Sequence, residues 1–149
     1  MCNCRITENC VLQNRCLSKE IVYKAKISSI EEPNIKKVYF GITKPDFKAR
    51  LANHTMSFKK KLRSQDTELS KFMWRLKNDN KTPQITWEIE HNSKICNSLY
   101  NTCRLCLWEC ISIINFKATK RKNEEILNSR NEIALSCIHK KCYLLDKYT

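Results

Sequence analysis

The sequence predicts an α+β domain: a small three-stranded antiparallel sheet flanked by helices, with a Cys-rich, metal-organised segment at its N-terminal end. Three observations lead there. Residues 21 to 28 and 84 to 92 alternate apolar and polar side chains, with β-branched and aromatic enrichment in the first, and residues 37 to 43 read as a strand between them. The stretches between and after them place apolar residues at helical spacing. Finally, Cys2, Cys4, Cys10 and Cys16 crowd a head that has too few apolar residues to fold on a core of its own. A chain of 149 residues with 42% hydrophobic content suits one core, so the expected division is a Cys-rich segment over residues 1–19 and one domain over 20–149.

Each element has a local reason. In IVYKAKIS, Ile21, Tyr23, Ala25 and Ile27 share one face of a strand, and Pro33 with Asn34 marks the turn to KVYFGIT, giving an antiparallel hairpin. Thr43 followed by Pro45 and Asp46 predicts a helix start with Thr43 as N-cap. From Phe47 to about Leu62, Phe47, Leu51, His54 and Phe58 fall on one helical face. A polar break, RSQD, precedes TELSKFMWRLKN, with Leu69, Phe72, Met73 and Leu76 on one side. QITWEIEHN is the third strand, residues 98 to 116 form the most apolar helix, and residues 123 to 137 read as a last helix. The expected order is β-β-α-α-β-α-α.

The ten cysteines depend on compartment for their meaning. The N-terminus has no apolar h-region, so a reducing, intracellular compartment is expected, where clustered cysteines more often bind metal than form disulfides. The spacing C-x-C-x5-C-x5-C can supply four thiolates to one Zn²⁺, against the alternative of a disordered tail with spare thiols. Cys103 and Cys106, with Cys137 and His139 and then Cys142, can close a second zinc site, yet Cys103, Cys106 and Cys110 also lie on the stripe of Leu99, Leu107, Ile111 and Ile114, where cysteine packs as a small hydrophobe. Cys96 reads as packing, and ligand sets that cross the clusters stay open.

Charge indicates the partner. A formal charge of +13, from 28 Lys+Arg against 15 Asp+Glu, points to a polyanion, with nucleic acid first and an anionic membrane surface second. No apolar run is long enough to suggest a membrane span. Lys59, Lys60, Lys61 and Arg63, then the run KATKRK with Lys120, Arg121 and Lys122, then Lys140 and Lys141, are clusters suited to phosphate contacts; a merely solvated surface is the alternative. None reads as a recognition helix.

In this order and spacing, Ile21-Val22-Tyr23, Tyr39-Phe40-Gly41, Arg50 on the next helix and Glu109 two helices on resemble the GIY-YIG nuclease superfamily. Together with CNCR, VYKA, the TELS segment with its tryptophan, CRLCLWE and SCIHKK, the chain is similar to the endonuclease domain that follows the reverse transcriptase of Penelope-like retroelements. The likeness spans nearly the whole chain. It departs in the first motif, which lacks its glycine but keeps the tyrosine.

The resemblance implies a metal-dependent endonuclease that nicks target DNA to prime reverse transcription, acting in the nucleus beside a polymerase domain this chain does not contain. Tyr23 would help activate water, Tyr39 would orient water or phosphate, Arg50 would bind phosphate and Glu109 would ligate Mg²⁺ or Mn²⁺. His54 would act as acid or base, and Asn128 would assist from the last helix, with Asn123 as its competitor. The residues alone leave other readings open: tyrosines as packing, Arg50 as a solvated charge, His54 as a core histidine and Glu68 as a rival to Glu109. Glu109, however, has no basic partner at i±3 or i±4 on its largely apolar helix, which suits a carboxylate facing a groove and a metal. Gly41, the only glycine, lies near the end of the second strand, where the missing side chain lets backbone or phosphate approach the site. The competing functions are a zinc-containing nucleic-acid binding module without catalysis, and a basic protein-interaction adaptor.

Overall fold

The computed structural model describes residues 1–92, 103–119 and 122–129. Strands β1 (Ile21–Ser29) and β2 (Lys36–Thr43) form the expected hairpin, followed by helices α1 (Phe47–Lys59) and α2 (Glu68–Asn78), strand β3 (Pro83–Asn92), helix α3 (Arg104–Ala118) and a short strand β4 (Glu124–Ile126). The architecture is α+β, but the sheet is four-stranded and mixed, in the order β3-β1-β2-β4. β1 is antiparallel to both β2 and β3, while β4 runs parallel to β2.

β4 corrects the expectation of a helix starting at residue 123. The pairing of Lys36 to Val38 with Glu124 to Ile126 covers the outer edge of β2, and Leu127 N–H extends it to the Val38 carbonyl at 2.7 Å. Asn128 then continues the ladder with its side chain: Oδ1 accepts from Phe40 N–H and Nδ2 donates to the Phe40 carbonyl, both at 2.8 Å. The local pattern is helical; an unpaired strand edge outweighs it. Residues 130–149 lie outside the described residues.

Helices cover both faces of the sheet. On one, Ile21, Tyr23, Ala25, Ile27 and Tyr39 pack with Phe47 of α1, with Leu69, Met73 and Leu76 of α2, and with Trp87 of β3. On the other, Val22 and Ile42 meet Cys103 and Leu105, while Val38 and Phe40 meet Ile113. This second burial makes Val22 a core residue although its strand reads as one-sided. A bulge in β3 shifts register beside Tyr23, so that Val22 faces His91 and Tyr23 faces Ile89, with Glu90 as the extra residue.

The ends of α1 and α2 show how side chains substitute for missing helical partners. Asp46, not Thr43, is the N-cap of α1: its carboxylate accepts from Ala49 N–H at 2.9 Å. Thr43 remains in β2 opposite Ile21, and its hydroxyl donates to the Pro45 carbonyl at 3.1 Å. Thr67 caps α2 and accepts from Ser70 N–H at 3.0 Å. A buried hydroxyl pair, Ser57 and Ser70 at 2.7 Å, ties α2 to α1.

Candidate active site and candidate metal centre

Tyr23 stands at the meeting point of β1, β2, β3 and α1. Its fully buried ring lies 5.3 Å from that of Phe47, 5.8 Å from that of His54 and 5.9 Å from that of Trp87, measured between centroids. Its phenolic oxygen is 2.7 Å from His54 Nε2 and accepts from Arg50 Nε at 3.0 Å. Arg50 and His54 reach one atom because they are four residues apart on α1, one turn along the same face. The pattern is satisfied when Tyr23 donates its own proton to His54 Nε2 while accepting from Arg50.

This packing explains the single glycine. Gly41 is the residue opposite Tyr23 in the hairpin, and the phenol lies across it: a β-carbon at position 41 would sit 2.4 Å from the Tyr23 oxygen and 2.5 Å from its Cζ. Gly41 has no positive φ, so what position 41 requires is space, not backbone freedom.

Burial and charge tune the group. His54 is 2% exposed, and burial followed by the nearby Arg50 charge pushes its pKa down to about 3, so it is neutral at physiological pH. Its ring stacks on Phe58 at 5.9 Å, which makes it a core histidine that also holds the tyrosine. Burial works against the Arg50 charge, but the neighbouring Tyr23, its hydrogen bond to Arg50, and then Tyr39 and Glu109 outweigh it and hold the guanidinium more firmly protonated than usual. Tyr39, buried on the same sheet face, meets the His54 ring edge-on at 6.3 Å.

A pH dependence follows. Because the folded state lowers the His54 pKa from 6.5 to about 3, the unfolded chain binds its proton first as pH falls. His54's contribution to stability is therefore complete above about pH 6.5 and is lost progressively as pH drops toward about 3. Urea midpoints measured across that range should fall less steeply in His54→Gln than in wild type; parallel curves would refute the assignment.

α3 is rotated from its expected orientation, and this sets the place of Glu109. Leu107 and Ile114, expected in the core, are 46% and 52% exposed, whereas Leu105, Ser112 and Ile113 are buried toward the sheet. Glu109 stands among these three on the sheet-facing side, half-buried, and its charge acts on Arg50. The helix is apolar on nearly every side, so periodicity alone could not orient it. His91 on β3 and Trp108 on α3 stack at 3.9 Å and help fix that rotation.

Tyr23, Tyr39, Gly41, Arg50 and His54 thus form one group, while Glu109 stands on α3, which packs on the other face of the sheet, and acts on Arg50 through its charge. Asn128 does not join the Tyr23 hydroxyl; both ends of its amide are taken by Phe40, between Tyr39 and Gly41 on β2. The Asn123 carbonyl accepts from Lys36 N–H at 2.9 Å, at the start of the β2–β4 pairing. Glu68 accepts from Lys71 at 2.7 Å at the start of α2. Trp87 is a member that the sequence motifs do not include: its ring lies 5.4 Å from that of His54, and its inward position in the alternation of β3 was the available signal.

The N-terminal cysteines converge as expected. The thiol sulfurs of Cys2, Cys4, Cys10 and Cys16 all lie within 4.8 Å of one another, and this set can hold a metal ion such as zinc. Cys4 to Cys16 is 3.7 Å and Cys2 to Cys16 is 3.5 Å, close to the roughly 3.8 Å edge that four Zn–S bonds of about 2.3 Å give a tetrahedron. Cys4 N–H donates to the Cys2 sulfur at 3.4 Å. Burial raises the Cys10 pKa, but backbone donors at Leu12, Cys16 and Asn14 and the Cys2 thiol outweigh it and bring it down to about 6. The shared hydrogens of Cys2 and Cys16 push Cys4 up to about 12, and burial followed by Cys2 raises Cys16.

This head is joined to α1. The first two amides of the helix, Phe47 and Lys48, donate to the carbonyls of Ser18 and Cys16 at 2.9 and 2.8 Å, and Lys48 Nζ reaches Asn3 Oδ1 at 2.7 Å. Leu12 is 2% exposed in the same core as Tyr23. Of the second cysteine set, Cys103 and Cys106 lie 3.3 Å apart at the start of α3, while Cys137, His139 and Cys142 are outside the described residues, as is Cys96.

Lys59, Lys60, Lys61 and Lys122 are exposed, Arg63 is paired with Asp66 at 2.7 Å, and Lys120 and Arg121 are outside the described residues. No helix of the described residues is long and apolar enough to cross a membrane. In comparisons with models of protein families, with curated proteins and with solved structures, the chain matches none.

Proposed function

We propose that the chain is a metal-dependent DNA endonuclease of the GIY-YIG type that hydrolyses a phosphodiester bond and nicks target DNA. The observation that carries this reading is the convergence of His54 and Arg50 on the Tyr23 oxygen at 2.7 and 3.0 Å. A guanidinium at that distance stabilises the phenolate, the form that takes a proton from water, and the phenol's own proton would pass to His54 Nε2, to which it is directed. Arg50 is half-buried with its charge secured, suited to a phosphate as well as to Tyr23.

Glu109 would hold Mg²⁺ or Mn²⁺. One half-buried carboxylate suits such a cation, which keeps several waters and takes its remaining oxygens from substrate phosphate. When bound, the ion would supply Lewis-acid stabilisation of the phosphate and leaving oxygen. The N-terminal thiols would hold zinc as a structural ion, with Cys103 and Cys106 contributing to a second site. The similarity to the endonuclease of Penelope-like retroelements supports an activity beside a reverse transcriptase domain in the nucleus, where a nick would free a 3′ hydroxyl as primer.

A second reading, a zinc-bearing DNA-binding module without catalysis, draws on the complete burial of Tyr23, which leaves its oxygen no exposed surface for water. Supercoiled plasmid incubated with Mg²⁺ or Mn²⁺ separates the two. The endonuclease nicks it, and Glu109→Ala and Arg50→Ala each reduce the rate by about a hundredfold or more. Full nicking by Glu109→Ala would overturn the site assignment; salt-sensitive binding with no nicking by wild type would establish the second reading.

A further inference from the structure

A cleft outside the Tyr23 group combines the chemistry of a nucleotide site. It opens between the exposed side of α2 and the turn that follows α1, with a volume near 490 Å³, and Lys61, Lys71, Trp74 and Arg75 line it. Lys71, Trp74 and Arg75 are three and four residues apart on α2, so one helical stripe presents cation, indole, cation, while Lys61 faces them from the turn. Asp79, at the end of the helix, is the one carboxylate in the lining, and Glu68, outside it, pairs with Lys71 at 2.7 Å, so a phosphate there would share that lysine.

The indole is fixed in place. Trp74 Nε1 donates to the Ser57 carbonyl at 2.8 Å, and Lys77 Nζ stands 4.8 Å from the ring centre. A half-buried tryptophan anchored by its N–H needs no further partner for folding, yet its ring forms part of the wall of an open, positively charged cleft. Beside it, Leu62 is 100% exposed within the run Lys59 to Arg63, an apolar group set among cations. Cations flanking an anchored aromatic ring suit a strand whose phosphates meet the cations while an unpaired base stacks on the ring. A duplex keeps its bases stacked on one another and would use only the charges.

We propose that this cleft binds a single-stranded DNA segment, with phosphates on Lys61, Lys71 and Arg75 and one base on Trp74. The proposal rests on DNA as the partner in the reading above, but not on catalysis. It adds a strand-holding surface on α2 that the lysine clusters alone do not imply.

The test is anisotropy of a short labelled oligothymidylate and of a labelled duplex over a salt series. Lys71→Glu with Arg75→Glu should weaken oligothymidylate binding by about tenfold or more and flatten its salt dependence by about 1.4 units of slope, as loss of two phosphate contacts predicts. Trp74→Leu should weaken it about tenfold while Trp74→Phe keeps most of the affinity, and neither should change duplex binding to that extent. Lys19→Glu with Lys36→Glu makes the same change in net charge at positions away from the cleft and should cost much less. Equal losses from both charge reversals, or a Trp74→Leu protein that binds oligothymidylate like wild type, would overturn the cleft. Wild-type protein that binds neither probe would overturn it together with the DNA reading; wild-type binding with unaffected cleft variants removes the cleft alone.

Discussion

Gly41→Ala should cost both stability and activity, because its β-carbon and the Tyr23 phenol cannot share the space they would occupy. The 2.4 Å approach would be to the phenolic oxygen, the far end of a side chain, which elsewhere could swing aside. Here the ring is buried against Phe47, His54 and Trp87, and its oxygen is held by His54 and Arg50. We expect a loss of about 1–3 kcal/mol in denaturant unfolding, as for other overpacked cores, together with loss of plasmid nicking. The sequence alone suggests that a larger residue such as Val at position 41 impairs cleavage more than folding; the packing of Tyr23 makes it an effect on both. A double-mutant cycle isolates the cause. In a Tyr23→Leu background the ring tip is gone, so Gly41→Ala should cost less, with a coupling of about 1 kcal/mol or more. Additive losses would mean that the glycine serves something other than the phenol.

Removing metal from the N-terminal thiols should disturb the Tyr23 group as well as the head. The carbonyls of Cys16 and Ser18 accept the first amides of α1, and that helix carries Arg50 and His54. Without a metal to hold four thiols together, the loop bearing those carbonyls loses its organising centre. Chelated protein should therefore unfold at a lower temperature and lose nicking, even with Mg²⁺ supplied. Cys10→Ala should do the same while lowering bound zinc by one equivalent. Binding should also release protons near neutral pH: Cys10 ionises at about 6, but Cys4 at about 12 and the raised Cys16 hold theirs until metal displaces them. Zinc affinity should accordingly rise with pH, measured by calorimetry in buffers of differing ionisation enthalpy. A Cys10→Ala protein with wild-type zinc content and melting temperature would refute the centre.

Much of the fold was legible from the chain. β1 and β3 announce themselves by alternation, α2 by the stripe Leu69, Phe72, Met73 and Leu76, and the thiol set by its crowding in a segment with little else to fold around. His54 lies in the core with Phe58, one of the two readings open for it, and it also holds Tyr23, which neither reading named, because one buried imidazole can stack with one face and bond through its edge. Thr43 and Asp46 show how narrow the margin is at a helix start. Either side chain can cap, and the length of β2 decided between them.

The sequence by itself determined the elements whose apolar residues are one-sided, since a face that must be buried leaves a period in the chain. It also determined the cysteine set, whose four thiols converge. Tertiary structure alone decided what local pattern cannot encode. α3 is apolar nearly all round, so its rotation, and with it the sheet-facing place of Glu109, depended on how Leu105 and Ile113 fitted the sheet. Glu124 to Ile126 became a strand because an unpaired edge of β2 lay within reach, and Asn128 completed that edge with its amide. The single glycine is the clearest case: its position was readable, but its reason is the phenol of Tyr23, far back along the chain and brought opposite by the hairpin register.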